Sequence, residues 1–189
     1  KGIKIILLSE ELYREKQPFI SREHVFICPN GVEAIQIAGN HVKVEGKKFS
    51  FLFLSNMMKE KGVYILLEAI THLKNIGASF ECHFVGKWAD IKEADFQEYV
   101  DQNGLQNFAF AHGARYNEEK NSYFIAADAF VFPTYYHGEA FPLVLLEAMQ
   151  FGLPCISTKE GGIPDIVNDL ETGYLIEPQD SIVLAGKME

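Results

Sequence analysis

Short apolar runs recur along this chain, and each is separated from the next by a polar or amphipathic stretch of helical length. Residues 3–8, 25–28, 49–54, 80–85, 108–111, 128–132, 154–157 and 174–176 read as strands. Between them, Val63, Leu66, Leu67, Ile70 and Leu73 fall on one face of a helix. Residues 9–16, 90–103, 117–127, 142–149 and 163–168 supply further helices, and another starts near Asp180. Gly104 stands where a helix C-terminus wants glycine. Strands alternating with helices at this spacing predict a parallel sheet covered on both faces. Right-handed crossovers make it a doubly wound, Rossmann-like α/β domain. In such sheets ligands bind at the carboxyl ends of the strands.

The most informative of those ends is residues 130–149, FVFPTYYHGEAFPLVLLEAM, where a strand passes into a helix through a polar and aromatic loop. Pro142 suits the first helical position, because its missing N–H would have had no partner there. Glu139 then lies in the loop and Glu147 on the second helical turn. The helix is almost wholly apolar, so it is expected to be buried on most sides, with the Glu147 carboxylate inside it and in need of donors. A carboxylate only accepts hydrogen bonds, and a cis-diol such as a ribose offers two O–H groups side by side. The helix start, with unmatched N–H groups and a positive dipole end, suits an anion such as a diphosphate. The alternatives are a glutamate satisfied by backbone or by a basic neighbour at 147, and an exposed loop residue at 139.

Bulk properties narrow the partners. The chain has 189 residues, enough for one core of ordinary size, and a formal net charge of −9 with no offsetting basic stripe, which argues against nucleic acid. No apolar run is long enough to span a bilayer, and the N-terminus lacks the pattern of a secretory signal. Cys28, Cys82 and Cys155 lie in or beside apolar runs and read as small buried hydrophobes in a reducing, cytoplasmic setting. The six histidines form no metal-ligand spacing, and no Walker loop or Gly-x-Gly-x-x-Gly is present.

EAFPLVLLEAMQFGLPCIST, then GGIPDIV and ETGYLIEP, resembles the C-terminal, nucleotide-binding half of family-4 retaining glycosyltransferases with the GT-B fold. The family pattern there runs roughly E-G-F-G-x-x-x-x-E-A-M-A-x-G-x-P-V, then G-G-x-x-E, then G-x-L. The resemblance covers most of the chain from about Cys28 onward, and its central motif is the specific part. It implies that Glu139 lies against the sugar of a nucleotide-diphosphate sugar, UDP- or GDP-linked, and that Glu147 grips the ribose. Losing Glu139 is then expected to lower turnover and spare nucleotide binding. Lys61 matches the phosphate-binding lysine of G-R-x-x-x-E-K-G, where a positioned cation stabilises the departing diphosphate. Two departures stand out. The family's Gly-Arg pair is Ser55-Asn56 here, so the arginine fork is absent and Asn56 offers only neutral hydrogen bonds. Arg115 or Lys87 is the candidate replacement. The family's Gly-Phe-Gly is Ala140-Phe141-Pro142, which leaves the N–H groups of Ala140, Phe141 and Leu143 to face a ligand.

In the same family, the loops at Gly86-Lys87-Trp88 and at 112–116 flank the base, so Trp88 and Tyr116 are read either as stacking on it or as packing on helices. Gly161-Gly162 is read as a close backbone approach to a ligand or a neighbouring loop, and Tyr135, Tyr136 and His137 as bordering the sugar. The resemblance further implies a metal-independent, retaining hexosyl transfer with no cofactor. The acceptor, a glycan or lipid-linked molecule, would be held mainly by an N-terminal domain, and the full-length protein would associate peripherally with the inner membrane surface. Residues 1–31 are expected to be the tail of that domain and its linker. Residues 32–189 would be the donor-binding domain, truncated in its C-terminal helices and inactive by itself. The runner-up reading is a sugar-nucleotide epimerase-like enzyme or a non-catalytic ligand-binding module on the same architecture.

Overall fold

A computed structural model describes residues 3–35 and 46–189. Residues 34–48, which show neither a helical nor a strand period and read as a connector, fall largely outside the described residues. Six strands form one parallel sheet in the order β5-β4-β3-β6-β7-β8: β3 Phe49–Leu54, β4 Phe80–Val85, β5 Ala109–Ala111, β6 Ala129–Phe132, β7 Cys155–Thr158 and β8 Gly173–Ile176. A separate parallel pair, β1 Ile5–Leu7 and β2 Val25–Ile27, carries α1 Glu10–Lys16, whose N-cap Ser9 accepts from the Leu12 N–H. That segment touches the larger sheet's layer where the Glu11 N–H donates to Asp165 Oδ2 at 2.9 Å and the Ile35 N–H to Gln150 Oε1 at 2.9 Å.

The strands form where bulky apolar residues are buried on both sides of the sheet. Phe53, Phe84, Phe130 and Phe132 are each 1% exposed or less, and their rings meet in pairs across β3, β4 and β6. Helices α2 Val63–Asn75, α3 Glu93–Gln102, α4 Asn117–Ala126, α5 Leu143–Gln150 and α6 Ser181–Met188 cover the sheet. Every apolar position that the helical period assigns to α2 is buried. Right-handed crossovers put α2 and α3 on one face and α4 and α5 on the other; α6 returns to pack on α2.

Sheet order decides where a ligand fits. The chain leaves β3 toward β4 and leaves β6 toward β7, in opposite directions, although β3 and β6 are neighbours (Phe51 beside Ala129, Leu52 beside Phe130). The carboxyl ends of these two strands are therefore the switch point, the place at which such sheets bind ligands.

Helix α3, expected from residue 90, begins at Glu93, and the helix expected at 163–168 is the 3₁₀ turn Ile163–Asp165; three further expectations need correction. Pro142 is the N-cap of α5, with extended ψ of 112°, and Leu143 is the first helical residue. The α5 helix is not buried on most sides: only Leu145 and Ala148 are buried, and Leu143 is 42% exposed. Its apolar composition exceeds what the sheet beneath it covers. Cys28 is exposed, at the end of a two-stranded pair thinly covered enough to leave Phe26 55% exposed, whereas Cys82 and Cys155 are buried.

Candidate functional site

Two loops meet at the switch point. A 3₁₀ turn, Lys59–Lys61, follows β3 and ends on Gly62 at φ 84°. A side chain at Gly62 would strike the Pro133 carbonyl at 2.1 Å, so the left-handed turn and the close approach both demand glycine there. The loop after β6 is stitched to this turn: the Tyr135 N–H donates to the Glu60 carbonyl at 2.8 Å, and the Thr134 hydroxyl to the same carbonyl at 3.2 Å. Thr134 also accepts from the Tyr136 N–H at 3.2 Å, and its own carbonyl accepts from Thr158 Oγ1 at 2.6 Å. Thr134 and Thr158 are fully buried. They are polar groups whose bonds tie the loops after β3, β6 and β7 together.

This stitching brings Lys61 and Glu139 into contact. Lys61 Nζ lies 2.6 Å from Glu139 Oε2, with the two side chains 14% and 10% exposed. The ammonium also sits over the Tyr136 ring at 4.4 Å and near the Phe132 ring at 5.8 Å. The Glu139 loop is held from behind. Its N–H donates to the Tyr136 carbonyl, its carbonyl would be 1.6 Å from any Cβ at Gly161 (φ 51°), and the Gly162 N–H donates to the Ala140 carbonyl at 2.9 Å. The Gly161-Gly162 pair therefore exists for a neighbouring loop, the one that carries Glu139.

Glu147 is not the enclosed carboxylate expected. It is 24% exposed, and its Oε1 lies 2.8 Å from Lys120 Nζ on α4, itself 25% exposed. The half-covered outer face of α5 explains the exposure, and the basic neighbour explains the ionic partner. Its other oxygen, Oε2, has no partner among the described residues. Asn56 and Lys87 are exposed at the ends of β3 and β4. Lys87 forms no ion pair among the described residues; its carbonyl accepts from the Met57 N–H at 2.8 Å. Arg115 reaches Glu119 at 4.0 Å and its own neighbour's carbonyl at 3.0 Å. Gly86 packs its Cα on the Ser55 carbonyl, and its N–H donates to the Gly113 carbonyl at 2.9 Å, which joins the loops after β4 and β5. The N–H groups of Ala140, Phe141 and Leu143 meet no acceptor among the described residues; Phe141 is itself buried, while Leu143 faces outward.

Of the flanking aromatics, Trp88 packs on Phe96 at 5.8 Å and Tyr116 is exposed at the N-terminus of α4. His137 points outward. Behind the 112–116 loop, His83 Nδ1 and His112 Nε2 are 2.9 Å apart, and the Tyr123 ring packs on His112 at 4.8 Å with a 49° tilt. Burial holds both imidazoles below their ordinary range; for His112 the neighbouring His83 and Arg115 add to the effect, whereas Glu81 opposes it for His83. Sequence reasoning missed Thr134, Thr158 and Lys120. A threonine just past each of two adjacent strands was the available signal for the first two. Nothing local marked Lys120. Among the described residues, no three His, Cys, Asp or Glu side chains form a group that could hold a metal ion. No described helix is long and apolar enough to cross a membrane.

Comparison with known proteins adds the following. The family model described as glycosyl transferases group 1 matches residues 36–189. A putative colanic acid biosynthesis glycosyltransferase, WcaL of Escherichia coli, is 25% identical over 173 residues, covering 88% of this chain and 42% of its own length. Among solved structures, the lipopolysaccharide outer core galactosyltransferase WaaB superposes with a TM-score of 0.83 at 21% identity, over 99% of this chain and 52% of that one. HepE of Anabaena in complex with UDP-glucose gives 0.76 at 22% identity, over 98% and 52%. The chain thus spans about half, or less, of the length of these proteins.

Proposed function

The chain belongs to the glycosyl transferases group 1 family, and from that premise we propose that it is the donor-binding part of a glycosyltransferase, taking a nucleotide-diphosphate sugar for retaining transfer to a glycan or lipid-linked acceptor held by another domain. The observation that carries this reading is the juxtaposition of Lys61 with Glu139 at the switch point between β3 and β6. Bond breaking at the anomeric carbon leaves an electron pair and growing negative charge on the diphosphate. Lys61 is the cation positioned to stabilise that charge, and a preorganised cation in a site of low exposure is worth more than one in water. The unmatched N–H groups at the start of α5 and its dipole add a second, weaker attraction for phosphate. Glu139 lies at the edge of the same site, suited to the positive charge that the sugar ring gains. Glu147 keeps one carboxylate oxygen for a ribose hydroxyl while Lys120 holds the other.

In this reading no metal is needed, because Lys61 and the α5 N-terminus supply the positive charge. The relative solved with UDP-glucose favours a UDP-linked donor, with GDP-linked donors next. The relative named for colanic acid biosynthesis favours polysaccharide synthesis. The test is a ligand-observed NMR or thermal-shift panel of UDP, GDP, ADP and CMP in EDTA. One of the diphosphates should bind in EDTA. Binding by none of them, or only after magnesium or manganese is restored, refutes the proposal.

A further inference from the structure

Lys61 already has an anionic partner in this chain, and that partner is the second member of the site. We propose that Glu139 competes with phosphate for Lys61, so that binding a nucleoside diphosphate exchanges the Lys61–Glu139 ion pair for a Lys61–phosphate pair and turns the freed carboxylate toward the sugar. The proposal rests on the donor-site reading above and specifies how that site is engaged.

Three features of the geometry support it. First, the pair is close and sheltered: 2.6 Å, with both side chains less than one-sixth exposed. The rings of Tyr136 and Phe132 occupy the flanks of the ammonium and offer no anionic acceptor. Second, Glu139 depends on Lys61. Among the described residues its carboxylate has one other polar contact, Thr134 Oγ1 at 3.5 Å, and that hydroxyl has a closer acceptor in the Glu60 carbonyl at 3.2 Å. An incoming phosphate would set a second anion beside a carboxylate that has one cation and little solvent, and like charges at such range repel strongly. Third, the backbone cannot yield. The Glu139 peptide is bonded to Tyr136 and wedged against Gly161, and the next carbonyl is held by Gly162. The exchange is therefore a rotation of the Glu139 side chain, not a movement of its loop.

An equilibrium follows. When only the opened fraction accepts phosphate, the apparent dissociation constant is the intrinsic one divided by that fraction. Glutamine at 139 keeps the shape, removes the charge and should raise the opened fraction. A nucleoside has no phosphate and does not engage Lys61.

The experiment is calorimetric titration of the chain with UDP or GDP, whichever binds in the panel above, and with the matching nucleoside, for the wild type, Glu139→Gln, Lys61→Ala and the double variant. Circular dichroism checks each fold, and Glu139→Ala repeats the test with a second side chain. Glu139→Gln should tighten the diphosphate about tenfold and leave the nucleoside within about twofold. In the Lys61→Ala background the same change should alter diphosphate affinity by less than about twofold. Weaker or unchanged diphosphate binding in Glu139→Gln overturns the exchange. So does equal tightening in the Lys61→Ala background, which would mark a general charge effect, or equal tightening of the nucleoside. Should the wild type bind no diphosphate at all, the donor-site reading itself falls; the exchange fails alone when the wild type binds and the variant does not tighten.

Discussion

Glu147 offers the sharpest separation between a structural and a binding role. Its pair with Lys120 is 2.8 Å long, and a quarter of each side chain is exposed. At that distance the bare attraction is roughly 1.5–6 kcal/mol for an effective dielectric between ~80 and ~20. Most of this is cancelled by lost hydration and by holding two long side chains still, so exposed pairs contribute only ~0–1 kcal/mol net. The coupling between Lys120 and Glu147 should therefore be about 0.5–1 kcal/mol, read from urea unfolding of Lys120→Met, Glu147→Gln and the double variant. A deeply buried glutamate with one partner would instead lose ~3–5 kcal/mol when that partner is removed. Binding gives the second arm. A hydrogen bond from a ribose hydroxyl to a carboxylate contributes ~1.5–3 kcal/mol, so Glu147→Gln should weaken the nucleotide about tenfold or more. It should weaken the matching nucleoside by the same factor, because both carry the ribose. Unchanged affinity for both ligands refutes the ribose assignment. Loss confined to the diphosphate shows that Glu147 acts by holding Lys120 in place rather than by gripping the ribose, since removing a negative charge does not by itself weaken an anion, and a coupling above ~2 kcal/mol shows that it is structural.

Gly161→Ala would force a left-handed φ on alanine and drive its Cβ into the Glu139 carbonyl; a cost of ~2 kcal/mol should lower the melting temperature by at least about 4 °C, and an unchanged melt contradicts the loop wedge. Thr134→Val leaves the part-buried Tyr136 N–H without its acceptor and removes a donor to the Glu60 carbonyl, so urea unfolding should show a loss of ~1–3 kcal/mol that Thr134→Ser largely restores. His83 and His112 both have depressed pKa values in the folded chain, so the unfolded chain binds more protons as pH falls. Their contribution is complete above the ordinary histidine value of about 6.5 and is lost as pH drops through the lower folded values; unfolding stability should be smaller at pH 5 than at pH 7.5, and His112→Gln should flatten that dependence.

Much of the fold was legible because its boundaries are local. Strands β3 and β4 and helix α2 end where apolar periodicity meets Ser55, Gly86 and Asn75 to Gly77, and they were read to the residue or nearly so. The misreadings arise where a distant part of the chain captures a backbone or side-chain group. Helix α3, expected from residue 90, begins at Glu93. Asp90 is taken up in accepting from the Lys59 N–H, and Ile91 is drawn into the core, where its N–H donates to the Met57 carbonyl. The helix expected at 163–168 shortens to the 3₁₀ turn Ile163–Asp165, because the Asn168 N–H donates to Thr172 Oγ1 instead. The composition of α5 was read correctly, but how much of it the sheet would cover was not.

The site divides in the same way. Which side chains stand at strand ends follows from strand position; Glu139 stood out in such a loop, and Lys61 through its match to the family motif. What each charge is paired with depends on strand order, and nothing local encodes it. Lys61 and Glu139 are 78 residues apart, and Lys120 and Glu147 are 27 apart. The first pair exists because β3 and β6 are neighbours in a sheet that places β4 and β5 to one side. The second exists because the crossover helix α4 returns from the edge strand to lie beside α5. In both cases a carboxylate that the sequence offers as a ligand-binding group arrives with a lysine attached. The electrostatics of the site are therefore those of two ion pairs rather than of isolated carboxylates and a waiting cation. Where a ligand anion competes with a resident one, neutralising the carboxylate strengthens binding; where a ligand hydroxyl shares the carboxylate with a lysine, neutralising it weakens binding. Glutamine at 139 and glutamine at 147 should thus move nucleotide affinity in opposite directions, an outcome that motif spacing alone does not supply.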